Sequence, residues 1–158
     1  MPISINRKLW YDGPNYTADS VIINTIAQKI LLIKRSSGEW ALPGGFINSK
    51  EESFTAAIRE TKEETGIIIS NNPILIYKGL VNDLRNSQTS WIETSAYLFI
   101  VNELSEVSGR DDAIDAAWLP LNNLPKLYAS HDEIVARAID YLSCQSLVKI
   151  AEFSENYR

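Results

Sequence analysis

Hydrophobic and polar positions follow two different periods along this 158-residue chain. Residues 21–23 and 29–34 are runs of β-branched and aliphatic side chains around a polar turn at 24–28, which predicts a hairpin of two strands. Residues 74–81 and 92–101 predict two more strands. In the second, Ile92, Thr94, Ala96, Leu98 and Ile100 alternate with Glu93, Ser95, Tyr97, Phe99 and Val101. Both faces are mostly apolar, so this strand is expected at the centre of a sheet covered on both sides. Residues 113–121 predict a last strand, ending at Pro120, and 39–43 a short extended segment.

A helical period appears in two places. Ser49-Lys50-Glu51-Glu52 has the form S-x-x-E, and Gly66 follows Thr65, so a capped helix is expected over 50–65. Phe54, Ile58, Thr61 and Thr65 would form its core stripe. Ser53 and Ala56 would extend the neighbouring face with small side chains. Ser130-His131-Asp132-Glu133 repeats the capping pattern before Ile134, Val135, Ala138, Ile139 and Leu142, predicting a C-terminal helix over 130–152 that closes the sheet. Residues 1–19 show neither period and read as an N-terminal arm. Its Trp10, Tyr11 and Tyr16 are either packing aromatics or a wall offered to a base; the pattern favours neither.

Composition sets broad limits. With 45% hydrophobic residues, a chain of this length can bury a real core, and residues 1–158 read as a single domain. A formal net charge of -5 argues against a nucleic-acid surface, but not against a small anion held through a metal. Cys144 is the only cysteine and reads as a buried helix thiol, not as part of a disulfide framework. No apolar run is long enough for a membrane span and no leader pattern appears, so a cytoplasmic setting is expected. Nothing in the pattern sets an oligomeric state.

The chemistry concentrates in residues 44–67, GGFINSKEESFTAAIRETKEETGI. Glu60, Glu63 and Glu64 fall on one helix face, where like charges repel and cost stability. A bound cation removes that cost, and hard carboxylate oxygens suit Mg²⁺ or Mn²⁺. Gly44-Gly45 reads as a turn that lets backbone approach the same place, where a carbonyl can add a ligand. Arg59 can pair with Glu51 or Glu63 and hold the acids in position. Elsewhere, Asp83, Arg85 and Asn86 in the loop 82–90 are either an ordinary connection or a phosphate-binding group. Glu93 enters a strand covered on both sides and needs a partner, for which a metal or a ribose hydroxyl would serve. Asp111 and Asp112 are turn formers or hold a general base. Lys34 and Arg35 read as solvated ends of a strand, with contact to phosphate oxygens as the alternative, and His131 reads as a surface histidine.

Gly45, Glu51, Arg59, Glu60, Glu63, Glu64, Gly66 and Ile67 match the pattern G-x5-E-x7-R-E-U-x-E-E-x-G-U. The stretch resembles the Nudix box, with Thr61 the one departure at an aliphatic position. The resemblance implies an α+β Nudix fold, a mixed sheet sandwiched between helices, and metal-dependent hydrolysis of nucleoside diphosphate derivatives. Further stretches, GPNYTAD from Gly13, GEWALPGG from Gly38, LYASH from Leu127, and Asp83-x-Arg85-Asn86 with Trp91-x-Glu93-Thr94, resemble the animal mitochondrial type of ADP-ribose pyrophosphatase. They also resemble an ADP-ribose-sensing channel domain, which as a subgroup lacks box acids that this chain keeps.

That resemblance implies ADP-ribose as the small-molecule substrate, split to AMP and ribose 5-phosphate, with no nucleic-acid or membrane partner. It implies Glu60, Glu63, Glu64 and the Gly44 carbonyl as ligands of Mg²⁺ (or Mn²⁺), with Glu51 and Arg59 supporting them. Asp83, Arg85, Asn86, Trp91, Glu93 and Tyr128 would contact substrate, and Asp112 or Asp111 would be the base. Hydrolysis of another nucleoside diphosphate derivative and binding without turnover are the alternatives.

Overall fold

The computed structural model describes residues 9–69 and 72–145. Chain order is β1 (Gly13–Asn24), β2 (Lys29–Arg35), β3 (Trp40–Ala41), β4 (Gly44–Phe46), α1 (Ser53–Thr65), β5 (Ile74–Leu80), β6 (Ser90–Val101), β7 (Ala113–Pro120) and α2 (His131–Cys144). The strands form one seven-stranded sheet, with β1 and β6 at its centre. These two run parallel over their full length, from Gly13 beside Ser90 to Asn24 beside Val101, and every other pairing is antiparallel. A mixed sheet results, as expected.

Strict alternation divides the core into two layers. Val21, Ile23, Ile30, Leu32, Ala96 and Leu98 pack with Ile134, Val135, Ala138, Ile139 and Leu142 of α2. Ala18, Ile22, Leu31 and Phe99 point the other way and pack with Ala56 and Ala57 of α1. The expected α/β/α sandwich is therefore formed, with β6 covered on both faces.

Several local expectations are corrected. The N-terminal arm ends at Gly13, because β1 starts there and takes in residues 13–19, where an irregular arm is expected. Gly13 and Pro14 at its start mask the pattern, and side chains buried on both faces leave no alternation of polarity to detect. Gly44-Gly45 is strand β4, not a turn; it pairs with Asp19 and Ala18 of β1. Helix α1 begins at Ser53, and neither it nor α2 has a side-chain hydrogen bond at its N-cap. Asn48 instead donates its N–H to the Glu51 carboxylate, and Ser130 Oγ accepts the N–H of Asn82.

Thr61 and Thr65 of the expected stripe are fully buried and Ile58 packs at the core's edge. Phe54 is exposed, whereas Ala56 and Ala57 are fully buried, so the core face of α1 takes in its alanines in place of Phe54. Ser53 turns to the sheet as well, where its hydroxyl meets that of Tyr97. Cys144 is exposed, not buried. The expected extension of α2 to 152 lies outside the described residues. Among those residues, no helix is long and apolar enough to cross a membrane.

Leu98 is fully buried in the larger core layer. Leu98→Ala is expected to lower unfolding stability by about 2–5 kcal/mol, read from urea denaturation, through lost burial and a residual cavity.

Candidate active site

Helix α1 is anchored at its start by one arginine. Arg59 donates from Nε and Nη2 to the two oxygens of Glu51, at 2.8 and 3.0 Å. It also donates to Glu60 at 3.1 Å, Glu63 at 3.0 Å and the Phe46 carbonyl at 3.1 Å. One guanidinium thus ties the loop before the helix, strand β4 and two acids together. The Arg59 bond holds the Glu51 carboxyl below its usual range, and the acids around Arg59 raise its pKa further.

At the other end Gly66 takes a left-handed conformation, φ 84°, and its N–H bonds the Lys62 carbonyl. The loop before β7 hangs on this turn: the Arg110 N–H donates to the Glu64 carbonyl at 2.9 Å. That attachment carries Asp111 to the acidic face of the helix. Glu60, Glu63 and Asp111 each offer a carboxylate oxygen, all within 4.8 Å of one another. Burial raises the Glu60 pKa against the pull of Arg59, and Glu63 and Asp111 raise it further.

Glu64 occupies a different environment. It is buried, and its Oε1 accepts the Gly44 N–H at 2.9 Å. Burial pushes its pKa up to about 8, against the Gly44 bond and with Glu60, Asp19 and Asp112 adding to the rise. Gly44 therefore presents its amide to Glu64.

The glycines are required by close approach. A Cβ on Gly45 would lie 2.3 Å from Glu60 Oε2, and one on Gly44 would lie 2.2 Å from Asp19 Oδ1. Asp19 is buried, accepts the Thr94 hydroxyl at 2.6 Å and sits 3.9 Å from His131 Nε2. His131 is buried too, correcting the surface reading; its Nδ1 accepts the Leu42 N–H at 3.0 Å. Burial raises Asp19 and lowers His131, so both shifts run toward the uncharged forms.

A cavity of about 820 Å³ opens over this centre, lined by Glu60, Glu64, Asp111 and Asp112 on one side and by Trp10, Tyr11 and Tyr16 on another. A second hollow of about 80 Å³ shares Gly44, Gly45, Phe46 and Glu64 with it and holds Arg35, Asp83, Arg85 and Tyr128. There the Arg85 fork is spent on Asp83, through bonds of 2.9 and 3.0 Å, while Tyr128 donates to Asp83 at 2.8 Å. Burial would raise Asp83, but Arg85 and Tyr128 outweigh it and hold its carboxyl below the ordinary value. Arg35 is not simply solvated: its guanidinium lies 3.9 Å from the centroid of the Tyr128 ring.

Asn86, Trp91 and Glu93 line neither hollow. Asn86 bonds the backbone of Val81 and Ile92, and Glu93 accepts the Trp91 indole N–H at 2.9 Å.

The NUDIX domain model matches residues 14–138. This chain belongs to the NUDIX family. The ADP-ribose pyrophosphatase of Methanocaldococcus jannaschii is 37% identical over 131 residues, covering 79% of this chain and 73% of that protein. The mitochondrial ADP-ribose pyrophosphatase of Rattus norvegicus is 27% identical over 164 aligned residues, covering 78% of this chain and 47% of that protein. The chain thus spans about half the length of the rat relative. A MutT/nudix family protein from Enterococcus faecalis has the same fold, with a TM-score of 0.70 at 29% identity, covering 86% of this chain and 64% of that one.

The departure from the Nudix pattern at Thr61 has a local cause. Its hydroxyl lies 2.9 Å from Ser20 Oγ and 2.8 Å from the Ala57 carbonyl, so a buried polar pair joins α1 to β1 where the family has an aliphatic contact. Sequence reading missed Asp19, the buried His131 and the tie of Arg110 to the helix end. Alternation along β1 would have turned Asp19 inward with Thr17 and Val21, had the strand been recognised.

The donors of the acidic centre suit a divalent cation, since hard carboxylate oxygens converge there from α1 and from the loop before β7. Glu64 provides a test. With an unfolded value near 4.5 and a folded value of about 8, its contribution to stability is lost as pH rises through that window. Glu64→Gln is therefore expected to raise the Tm of the metal-free protein at pH 8, on the order of 5 °C, and to change little at pH 4. Thermal melts at the two pH values check it.

Proposed function

We propose that this chain hydrolyses the diphosphate of ADP-ribose to AMP and ribose 5-phosphate with a divalent cation, Mg²⁺ or Mn²⁺. The observation that carries the chemistry is the convergence of Glu60, Glu63 and Asp111, of which Glu60 and Asp111 line, with buried Glu64, a cavity of nucleotide size. The substrate rests on the relatives that carry that name and on the ADP-ribose-type stretches of this sequence.

Glu60, Glu63 and Asp111 would hold the cation, with Glu64 at its edge. A cation there neutralises phosphate charge and lowers the pKa of a water. Arg59 and Glu51 fix the angle at which the helix presents its acids. Asp112 lines the cavity without joining the three-carboxylate group, so it is the residue we assign to take the proton from the attacking water. The water oxygen bonds to one phosphorus, the bridging P–O bond breaks, and the leaving phosphate carries away the bond's electron pair.

Substrate contacts fall to the second hollow, where Tyr128 and Asp83 can meet ribose hydroxyls. Arg85 reaches a phosphate only by leaving Asp83, so a phosphate role for it requires rearrangement. Asn86, Trp91 and Glu93 act on this reading through the strand and loop they brace. A cytoplasmic setting belongs to the same proposal, since the exposed thiol of Cys144 suits a reducing compartment. The complete acid set favours turnover over binding alone.

AMP release from ADP-ribose, measured with Mg²⁺ and with EDTA, tests the reading. Metal-dependent release of AMP and ribose 5-phosphate is expected. Glu60→Gln and Glu63→Gln are expected to cut turnover by about 100-fold or more with the circular dichroism unchanged; normal turnover in either would sink the assignment. Arg59→Ala should cost about 10–100-fold, since it orients the acids without holding the ion.

A further inference from the structure

The left-handed turn at Gly66 leaves room where a side chain would stand, and that room is filled from another part of the chain. A Cβ on Gly66 would lie 2.8 Å from Cζ of Arg110, 2.9 Å from its Nη2 and 3.2 Å from its Nε. Three guanidinium atoms at such similar distances mean that the plane of the group, not its edge, faces the glycine. A cation is also favoured there, because the last carbonyls of a helix carry its negative end. Arg110 Nε donates to Ser108 Oγ at 3.3 Å, which keeps the side chain along its own loop.

The backbone of the same loop takes up helix-end carbonyls that lack a partner within α1. Ser108 donates its N–H to Thr65 at 3.4 Å, beside the Arg110 bond to Glu64. On the other side Gly109 backs onto β7, where a Cβ would lie 2.4 Å from the Asp115 nitrogen. The Ala113 N–H closes the turn on the Arg110 carbonyl at 2.9 Å. Within these holds Asp111 takes φ 56°, a left-handed conformation that a residue with a Cβ keeps only when its surroundings impose it. Asp111 is exposed, so burial does not hold it beside the like charges of Glu60 and Glu63.

We propose that Arg110 is a positioning residue for the cation. Its guanidinium, packed on Gly66, latches the loop before β7 to the end of α1 and so keeps Asp111 within reach of Glu60 and Glu63. The proposal rests on the cation-dependent reading above and deepens it, by assigning part of the affinity for the ion to a side chain that does not touch it. Any residue except proline can make the backbone bond to Glu64. The packed guanidinium is what arginine adds at 110, and glycine at 66 serves this latch as well as its own turn.

The test titrates the full chain with Mn²⁺, read by the electron paramagnetic resonance of the free ion. Arg110→Ala is expected to weaken Mn²⁺ binding about tenfold. Loss of a positive charge would by itself tighten cation binding, so a weakening separates the latch from a charge effect. In the Asp111→Asn background the same change should add little, because the residue that Arg110 positions is no longer a carboxylate. Without metal, amide exchange at Arg110 and Ala113 should be about tenfold faster in Arg110→Ala, while unchanged β6 amides show that the variant is folded. Unchanged Mn²⁺ affinity, unchanged exchange, or an equal loss of affinity in the Asp111→Asn background would each overturn the latch. Absence of ADP-ribose turnover, with Mn²⁺ binding still dependent on Arg110, would remove the substrate reading and support the latch.

Discussion

The structure depends on how closely β4 can approach β1 and α1. Two glycines pass through a space in which any Cβ would strike a carboxylate: that of Asp19 on one side and that of Glu60 on the other. This approach lets the Gly44 N–H reach Glu64 and the Phe46 carbonyl reach Arg59. An acid buried as deeply as Glu64 is costly: burial pushes its pKa up, and the Gly44 backbone bond offsets only part of that rise. Burial without a full set of partners therefore leaves an electrostatic cost at this site, of the kind that a hard cation would offset.

The central sheet serves that arrangement. Parallel pairing of β1 with β6 over their whole length gives β1 a rigid position, and β1 then carries a working side chain on each face. Ser20 meets Thr61 beneath α1, while Asp19 turns the other way toward His131 and Thr94. The His131 ring in turn accepts the Leu42 N–H, two residues before β4. The approach to the glycines is thus braced by a buried polar group on the α2 side and by the Arg59 network on the α1 side.

Local pattern made the two helices, the strands around 74–80 and 90–101, and the acid face of α1 readable. Each of these depends on neighbours in sequence: i, i+3 and i+4 spacing for Glu60, Glu63 and Glu64, and alternation for β6. Failures occurred where a residue's role is set by a distant partner. The S-x-x-E signals misled because α1 starts at Ser53, with Glu52 rather than Ser49 at its N-cap, and because the Ser130 hydroxyl accepts the Asn82 N–H. The pairing of Arg85 with Asp83 is a bond of the folded loop that residue type alone did not announce.

By itself, the sequence determined the family, the mixed sheet between helices, and a helix whose carboxylates call for a cation, because these are written in short-range spacing and residue type. The tertiary structure decided which acids meet. Asp111 joins Glu60 and Glu63 because the Arg110 N–H bonds the end of α1, and Glu64 turns instead to the Gly44 amide. It also buried His131 and Asp19 and placed Trp10 and Tyr16 on the rim of the same cavity. Those placements follow from strand register and close backbone approach between segments far apart in the chain, which spacing along one segment does not encode.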